Sequence, residues 1–136
     1  MRYQISEIIQ VLKPEHYVLN IEEATISELL TDSRSLTYPA VTLFFALRTK
    51  NNDGHRYIAE LYDRGVRNFV VESLDDIPWK EMNANILVVD DTLAALQAIA
   101  TFHRRRFNIP VISITGSRGK TTVKEWLYQL LCLDYN

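Results

Sequence analysis

Near the carboxyl end of the chain stands Thr115-Gly116-Ser117-Arg118-Gly119-Lys120-Thr121, the stretch from which the chemistry of the chain is best predicted. The apolar, β-branched run 110–114 precedes it and predicts a buried strand. The segment 122–131 follows it with apolar residues at helical spacing. A strand, a glycine-containing turn that ends in Gly-Lys-Thr, and a helix together form the context that a phosphate-binding loop requires.

The chemistry of such a loop explains these residue types. Gly116 and Gly119 let backbone N–H groups approach an anion closely, and the first turn of the following helix favours phosphate there. Lys120 would reach the outer phosphates, and the Thr121 hydroxyl would hold Mg²⁺. The strict pattern G-x-x-x-x-G-K-[ST] also requires a glycine where this chain has Ile114, so a turn that binds nothing is the alternative. The predicted ATP-binding residues are Gly116, Ser117, Arg118, Gly119, Lys120, Thr121 and Thr122, with Lys120 and Thr121 also predicted as catalytic.

Composition bounds the class of protein. The 136 residues are 47% apolar and 24% charged, as in soluble globular domains. Fifteen basic and 17 acidic residues give a net charge of −2, which argues against a nucleic-acid-binding surface. We expect Cys132, the one cysteine, to be a buried apolar residue of the last helix rather than a nucleophile. The sequence has neither a signal-peptide pattern nor an apolar run of about 18 residues, so we expect a cytoplasmic protein without a membrane span.

Upstream of the loop, strands and helices alternate. The patterns predict helices over 7–12, 55–64 and 93–107, and strands over 16–20, 25–30, 41–47, 66–72 and 86–89. Ser6 can cap the first helix, Gly65 can end the second, and Asp90-Asp91-Thr92 can cap the third. The alternation predicts an α/β fold with a largely parallel sheet.

A domain boundary is predicted where this pattern ends. We assign 1–107 to a first domain, 108–110 to a linker, and 111–136 to the start of a second, nucleotide-binding domain, since 26 residues are too few to bury a core. The basic run 103–106 falls in the last turns of the third predicted helix. There cations complement the helix dipole, which we favour over nucleic-acid contact.

With these motifs assembled, the chain resembles the Mur ligase family, the ATP-dependent enzymes that build the peptide of bacterial peptidoglycan. The loop 115–121 is similar to the family's T-G-x-N-G-K-T, which also lacks the first glycine, although Arg118 stands where asparagine is usual. Upstream, Asp32-Ser33-Arg34, Leu43-Phe44-Phe45-Ala46-Leu47 and Asp53-Gly54-His55-Arg56-Tyr57-Ile58 are similar to segments of the family's uridine-nucleotide-binding domain. The resemblance covers nearly the whole chain. It implies that N-terminal domain followed by the first strand, phosphate loop and helix of a central ATPase domain.

The resemblance also implies an activity. Thr122-Val123-Lys124-Glu125 is more similar to the ligase that adds D-alanyl-D-alanine than to the one that adds the third, diamino acid residue, which stays the alternative. The tail 126–131 is similar to versions fused to an alanine racemase. In the family, ATP with Mg²⁺ activates the carboxylate of a UDP-N-acetylmuramoyl peptide as an acyl phosphate, which the incoming amine attacks. We expect a monomer, and we expect these 136 residues alone to lack catalysis.

Family similarity further implies which residues hold the uridine diphosphate. They are Thr31, Ser33, Arg34, Lys50, Asn51 and Asn52. Hydroxyls, amides and cations on loops can satisfy phosphate and ribose oxygens. For Asp53 and Gly54 we favour a role in closing a turn, and for Ser33 we favour binding over turn capping. A stand-alone nucleotide-binding module and a structural interaction domain are the other hypotheses; neither accounts for both sets of motifs.

Overall fold

The computed structural model describes residues 2–133. The strands are β1 (Tyr3–Gln4), β2 (His16–Val18), β3 (Thr25–Ile26), β4 (Glu28–Leu30), β5 (Thr42–Phe45), β6 (Asn68–Val71) and β7 (Asn85–Val88). The helices are α1 (Ile5–Leu12), α2 (Ile58–Asp63), α3 (Thr92–Arg105) and α4 (Lys120–Leu131).

The main sheet has five strands in the order β2-β7-β6-β5-β4. The pairs β4–β5, β5–β6 and β6–β7 are parallel, and only the edge strand β2 runs antiparallel, against β7. A separate two-stranded ladder joins β1 to β3. The predicted α/β fold with a largely parallel sheet is therefore confirmed.

Each face of the main sheet is covered by apolar side chains. Along β5, Phe44 packs with Ile58 and Leu61 of α2 on one face. Its neighbours Leu43 and Phe45 pack on the other face, against α1 and α3. Because successive strand residues point to opposite faces, an unbroken apolar run is what a sheet covered on both sides requires.

Several predicted boundaries are confirmed and others shift. Asp91 caps α3 through its side chain, which accepts from the Ala94 N–H, and Gly65 ends α2 in the left-handed region at φ +102°. The prediction that Ser6 caps the first helix is wrong. The N-cap is Gln4, whose backbone N–H donates to the Glu7 carboxylate at 2.9 Å. The predicted strand 25–30 is split at Ser27 because β3 pairs with β1 whereas β4 joins the main sheet.

The prediction of a strand over 110–114 is wrong. These residues form no strand, and no described strand lies alongside to supply the hydrogen bonds that a ladder needs. Helix α4 forms, two residues earlier than predicted, but none of its described residues is buried. Cys132 is exposed rather than buried, so that expectation is also wrong. The last three residues of the predicted segment 111–136 lie outside the described part.

The basic run at the end of α3 has a structural use. The guanidinium of Arg104 donates to the carbonyl oxygens of Phe107 and Ile109, at 2.8 and 2.9 Å. It thereby satisfies carbonyl groups beyond the last helical turn, as cations near helix C-termini do. Within residues 2–133, no helix combines the length and apolarity that crossing a bilayer would require.

Candidate functional site

A cavity of about 340 Å³ opens at one corner of the main sheet. It collects two segments that lie about twenty residues apart in sequence, because β4 and β5 are parallel neighbours and the chain leaves both at the same edge. Ligands of α/β proteins bind preferentially outside the carboxyl ends of such strands. The lining residues are Thr31, Asp32, Ser33, Arg34, Asn52 and Tyr57.

Ser33 is held firmly at the wall of this cavity. It begins a short 3-10 helix, Ser33–Ser35, which Asp32 caps by accepting from the Arg34 N–H at 3.0 Å. The carbonyl oxygen of Ser33 accepts from Arg64 Nη1 at 2.8 Å, which ties the turn to the end of α2. Ser33 itself is buried. Asp32 therefore caps the turn, and both Asp32 and Ser33 line the cavity.

Arg34 was predicted to bind the ligand as a cation, but its guanidinium is already paired with the carboxylate of Asp32. Its Nη2 lies 2.6 Å from Asp32 Oδ2, and its Nε donates to Oδ1 of the same carboxylate at 2.9 Å. These hydrogen bonds from Arg34, side chain first and backbone second, lower the pKa of Asp32 from its ordinary 3.8 to about 2. The rim of the cavity thus carries a neutralised pair rather than a lone cation.

The Asp32 carboxyl is expected to titrate in the folded protein with a midpoint near pH 2. Since its folded-state pKa is depressed, the stabilisation it supplies is present above pH 3.8 and is lost as the pH falls toward 2. Replacing Arg34 by alanine should move the midpoint up toward 3.8. Carboxyl-carbon NMR titration measures both values, and an unchanged midpoint in R34A would contradict the assignment.

The predicted loop residues Lys50, Asn51 and Asn52 are not equivalent. Thr49 N–H donates to the Asn52 carbonyl oxygen at 2.8 Å, which closes a tight turn and leaves Lys50 and Asn51 exposed at its tip. Only Asn52 lines the cavity. The structure therefore brings together four of the six predicted residues, Thr31, Ser33, Arg34 and Asn52.

The segment after Asn52 is fixed by Asp53, Gly54 and His55. Asp53 Oδ1 accepts from the His55 backbone N–H at 3.0 Å and contacts His55 Nδ1 at 2.6 Å. Burial raises the pKa of Asp53, but the hydrogen bonds from His55 and the charge of Arg48 outweigh it, so the pKa is lowered overall. A Cβ on Gly54 would lie 2.8 Å from backbone atoms of Ala46. Both Asp53 and Gly54 therefore have the turn role that we favoured.

The other ring nitrogen of His55 is also engaged. The Glu72 backbone N–H donates to Nε2 at 3.0 Å, so Nε2 must carry a lone pair and the proton lies on Nδ1, toward Asp53. A second cavity, of about 200 Å³, lies beside this group, and Arg48, Asp53, His55 and Asp75 are among its lining residues. Arg48 is already paired, with Asp53 at 3.1 Å and with Glu72 at 3.8 Å.

The predicted phosphate loop has the backbone form that anion binding favours. Gly116 and Gly119 both adopt positive φ, at +152° and +75°, and Gly119 is the N-cap of α4. A cavity of about 280 Å³ beside the loop is lined by Ile112, Ile114, Lys120, Thr121 and Lys124. Lys120 and Thr121 thus line one space, whereas Ser117, Arg118 and Thr122 are exposed outside it.

Asp32 and Tyr57 line the 340 Å³ cavity, hereafter the larger cavity, but they are not among the predicted binding residues. Asp32 lies in sequence between two predicted binding residues, Thr31 and Ser33, but the residue types around it indicated only a turn. Tyr57 stood five residues after Asn52, and its side-chain contact depends on the 3-10 helix Gly54–Tyr57 that lies between them. In the sequence, the one indication that Tyr57 could line the cavity is that it is an aromatic residue shortly after a polar loop.

The part of the chain that contains this cavity matches a known family. The family model described as "Mur ligase family, catalytic domain" matches residues 25–104, more than half of the chain. The chain belongs to the Mur ligase family. The family membership predicted from the motifs is therefore confirmed. The matched span carries both walls of the larger cavity and ends before the loop 115–121.

Individual relatives agree with this assignment. The chain is 38% identical over 112 residues to the UDP-N-acetylmuramoyl-tripeptide–D-alanyl-D-alanine ligase of Synechocystis sp., which aligns 81% of this chain with 23% of that relative. It is 42% identical over 98 residues to the UDP-N-acetylmuramoyl-L-alanyl-D-glutamate–2,6-diaminopimelate ligase of Geobacter metallireducens, covering 71% of this chain and 18% of that relative. The chain spans about a quarter of the length of the curated Mur ligases from Synechocystis and Bacillus subtilis.

A solved Mur ligase has the same fold. The UDP-N-acetylmuramoylalanyl-D-glutamyl-2,6-diaminopimelate–D-alanyl-D-alanyl ligase from Acinetobacter baumannii superposes with a TM-score of 0.82 at 28% identity. The superposition covers 98% of this chain and 29% of that chain. The predicted Mur-ligase-type fold is therefore confirmed.

Proposed function

We propose that this chain is the substrate-binding part of an ATP-dependent ligase that adds D-alanyl-D-alanine to a UDP-N-acetylmuramoyl tripeptide. The observation that carries the proposal is the larger cavity, in which Thr31, Ser33, Arg34 and Asn52 converge within the family-matched span. Residues 1–107 form the substrate-binding domain in this proposal. Residues 108–110 are a linker, and 111–136 begin the ATP-binding domain.

The chemistry of the cavity suits the uridine diphosphate end of the substrate. Hydroxyls of Thr31 and Ser33 and the amide of Asn52 offer hydrogen bonds to ribose and phosphate oxygens. The paired guanidinium of Arg34 keeps donors for oxygen ligands while its charge is balanced by Asp32. Lys50 and Asn51 lie at the exposed tip of the adjoining turn. From there the ammonium group of Lys50 and the amide of Asn51 would approach the phosphates.

The residues of the phosphate loop fit ATP. Its glycines adopt positive φ, an added Cβ at Gly119 would meet nothing within 4 Å, and the first-turn N–H groups of α4 are available to an anion. Lys120 would neutralise phosphate charge, and the Thr121 hydroxyl is a suitable oxygen ligand for Mg²⁺. When bound, ATP supplies the phosphoryl group that activates the peptide carboxylate. Within residues 2–133 no three His, Cys, Asp or Glu side chains cluster as a metal site.

A second candidate is the ligase that adds the third, diamino acid residue. The 42% identity to the diaminopimelate ligase of Geobacter metallireducens favours it. The two candidates differ in the nucleotide that the chain should bind more tightly. Under the first proposal it is the UDP-N-acetylmuramoyl tripeptide, and under the second it is the UDP-N-acetylmuramoyl dipeptide.

Calorimetric titration of the 136-residue chain with the two muramoyl peptides tests the proposal. Replacing Ser33 by alanine is expected to weaken binding about tenfold, because one hydrogen bond to a charged ligand is lost. Ser35→Ala, on the same short helix but outside the cavity, is the matched control and should bind as the unchanged chain does. Lys120→Ala should also leave this binding intact. Lack of binding at millimolar ligand, or equal losses in S33A and S35A, would contradict the proposal.

A further inference from the structure

One wall of the larger cavity is tied to a helix that lies outside it. The wall is the 3-10 helix Ser33–Ser35, which belongs to the connection between β4 and β5. Its first residue, Ser33, is buried and lines the cavity. Arg64 does not line the cavity, but its Nη1 donates to the Ser33 carbonyl oxygen at 2.8 Å. The position of Ser33 therefore depends on a guanidinium that comes from another element of the fold.

Arg64 is itself held in place by α2. It is the C-cap residue of that helix, and its backbone N–H donates to the Glu60 carbonyl oxygen at 3.0 Å. Its Nη1 also lies 3.2 Å from the Glu60 carboxylate, four residues earlier on the same face of the helix. Helix α2 packs on the main sheet through Ile58 and Leu61, which are both buried in the core. The hydrogen bond to Ser33 thus joins the cavity wall to a core helix rather than to another loop.

We propose that Arg64 is a positioning residue for substrate binding, which acts on the substrate through Ser33. The inference rests on the proposed function, in which the Ser33 hydroxyl binds the substrate. A hydrogen bond weakens steeply as its distance and angle depart from the preferred values, so the place of the Ser33 backbone decides how well that hydroxyl pairs. A charged donor on the adjoining carbonyl restrains the backbone more firmly than a neutral donor would. Without Arg64 the hydroxyl is still present, but it is held less closely to the position that binding requires.

The test is a double-mutant cycle in which calorimetry measures the affinity for the UDP-N-acetylmuramoyl tripeptide. Arg64→Ala should weaken binding about fivefold, which is less than the loss of about tenfold expected for Ser33→Ala. Because Arg64 acts through Ser33, adding R64A to S33A should weaken binding no further, whereas two independent sites would give a loss of about fiftyfold.

Arg67→Ala is the matched control for the cycle. The guanidinium of Arg67 also donates to two backbone carbonyl oxygens, those of Tyr62 and Val66, at 2.7 and 2.8 Å. Neither carbonyl belongs to the cavity wall, so R67A should leave the affinity unchanged. Carbonyl-carbon NMR gives a second readout, since the Ser33 resonance should shift in R64A, which lacks the donor, and should stay in place in R67A.

The outcomes separate the inference from the proposal beneath it. If the unchanged chain binds the tripeptide and R64A binds it equally well, the inference is overturned and the proposed function stands. The same holds if the losses in R64A and S33A multiply in the double variant, or if the Ser33 resonance does not move in R64A. If the unchanged chain does not bind the tripeptide at millimolar ligand, the proposed function fails and the inference fails with it. The Arg64 side chain is 39% exposed, so we expect R64A to fold, and thermal unfolding verifies this before affinities are compared.

Discussion

Replacing Asn85 by alanine is expected to lower the free energy of unfolding by about 3 kcal/mol. Asn85 is fully buried at the start of β7 and its side chain makes four hydrogen bonds. Oδ1 accepts from the backbone N–H groups of Asn20 and Ile21, at 2.9 and 2.8 Å. Nδ2 donates to the Ile21 carbonyl oxygen and to Asn68 Oδ1, both at 2.8 Å.

The expected loss is large because alanine would leave several of these partners buried without a replacement. An unsatisfied buried donor or acceptor costs more than the net value of the bond it made. The side chain also joins the connection after β2 to the central strands, so its removal weakens a non-local contact that the parallel sheet depends on.

Urea unfolding followed by circular dichroism measures this effect. Asn83→Ala is the matched control, since Asn83 is exposed two residues earlier, and it should change the free energy of unfolding by less than about 0.5 kcal/mol. A loss below about 1 kcal/mol in N85A, similar to that of the control, would show that the network contributes little.

Gly54→Ala is expected to destabilise the domain by about 2–3 kcal/mol. The new methyl group would lie 2.8 Å from the Cα and carbonyl carbon of Ala46 and from the nitrogen of Leu47. These are backbone atoms at the end of a central strand, so they cannot rotate away as a flexible side chain would. The segment 53–57 must shift instead.

This shift has a second expected consequence. Asn52 and Tyr57 flank the displaced segment, so under the proposed function G54A should also weaken binding of the UDP-N-acetylmuramoyl tripeptide at temperatures where the domain is still folded. Arg56→Ala is the control, because Arg56 is exposed on the same short helix, Gly54–Tyr57, and does not line the cavity that contains Asn52 and Tyr57. Equal melting temperatures for G54A and R56A would refute the close-approach explanation.

The central strands could be predicted from the sequence because each is a continuous apolar run. Strands buried on both faces have that pattern: the predicted segments 41–47 and 66–72 contain β5 and β6, and the predicted segment 86–89 overlaps β7, which begins one residue earlier. The same criterion failed over 110–114. β-propensity describes a residue's fit to a pleated surface, but a strand also needs a neighbour, and the described chain supplies none there.

The candidate site was predictable to the extent that it depends on local motifs. Ser33 and Asn52 were predicted as binding residues because their segments are similar to segments of the Mur ligase family, and both line the cavity. The outward direction of Lys50 and Asn51 follows from the hydrogen bond that closes their turn, which composition does not specify. The contact between Tyr57 and Asn52 depends on one distance between two side chains, and no sequence pattern encodes it.

The imidazole of His55 also provides a built-in reporter of local motion. The Glu72 amide hydrogen is held by a side-chain nitrogen rather than by a strand neighbour, so it exchanges with solvent whenever segment 53–57 opens. Amides of Phe69 and Val70, inside the parallel ladder, exchange only through larger openings of the sheet. The exchange rate of this one amide therefore measures how often the cavity wall that contains Asn52 and Tyr57 separates from the core.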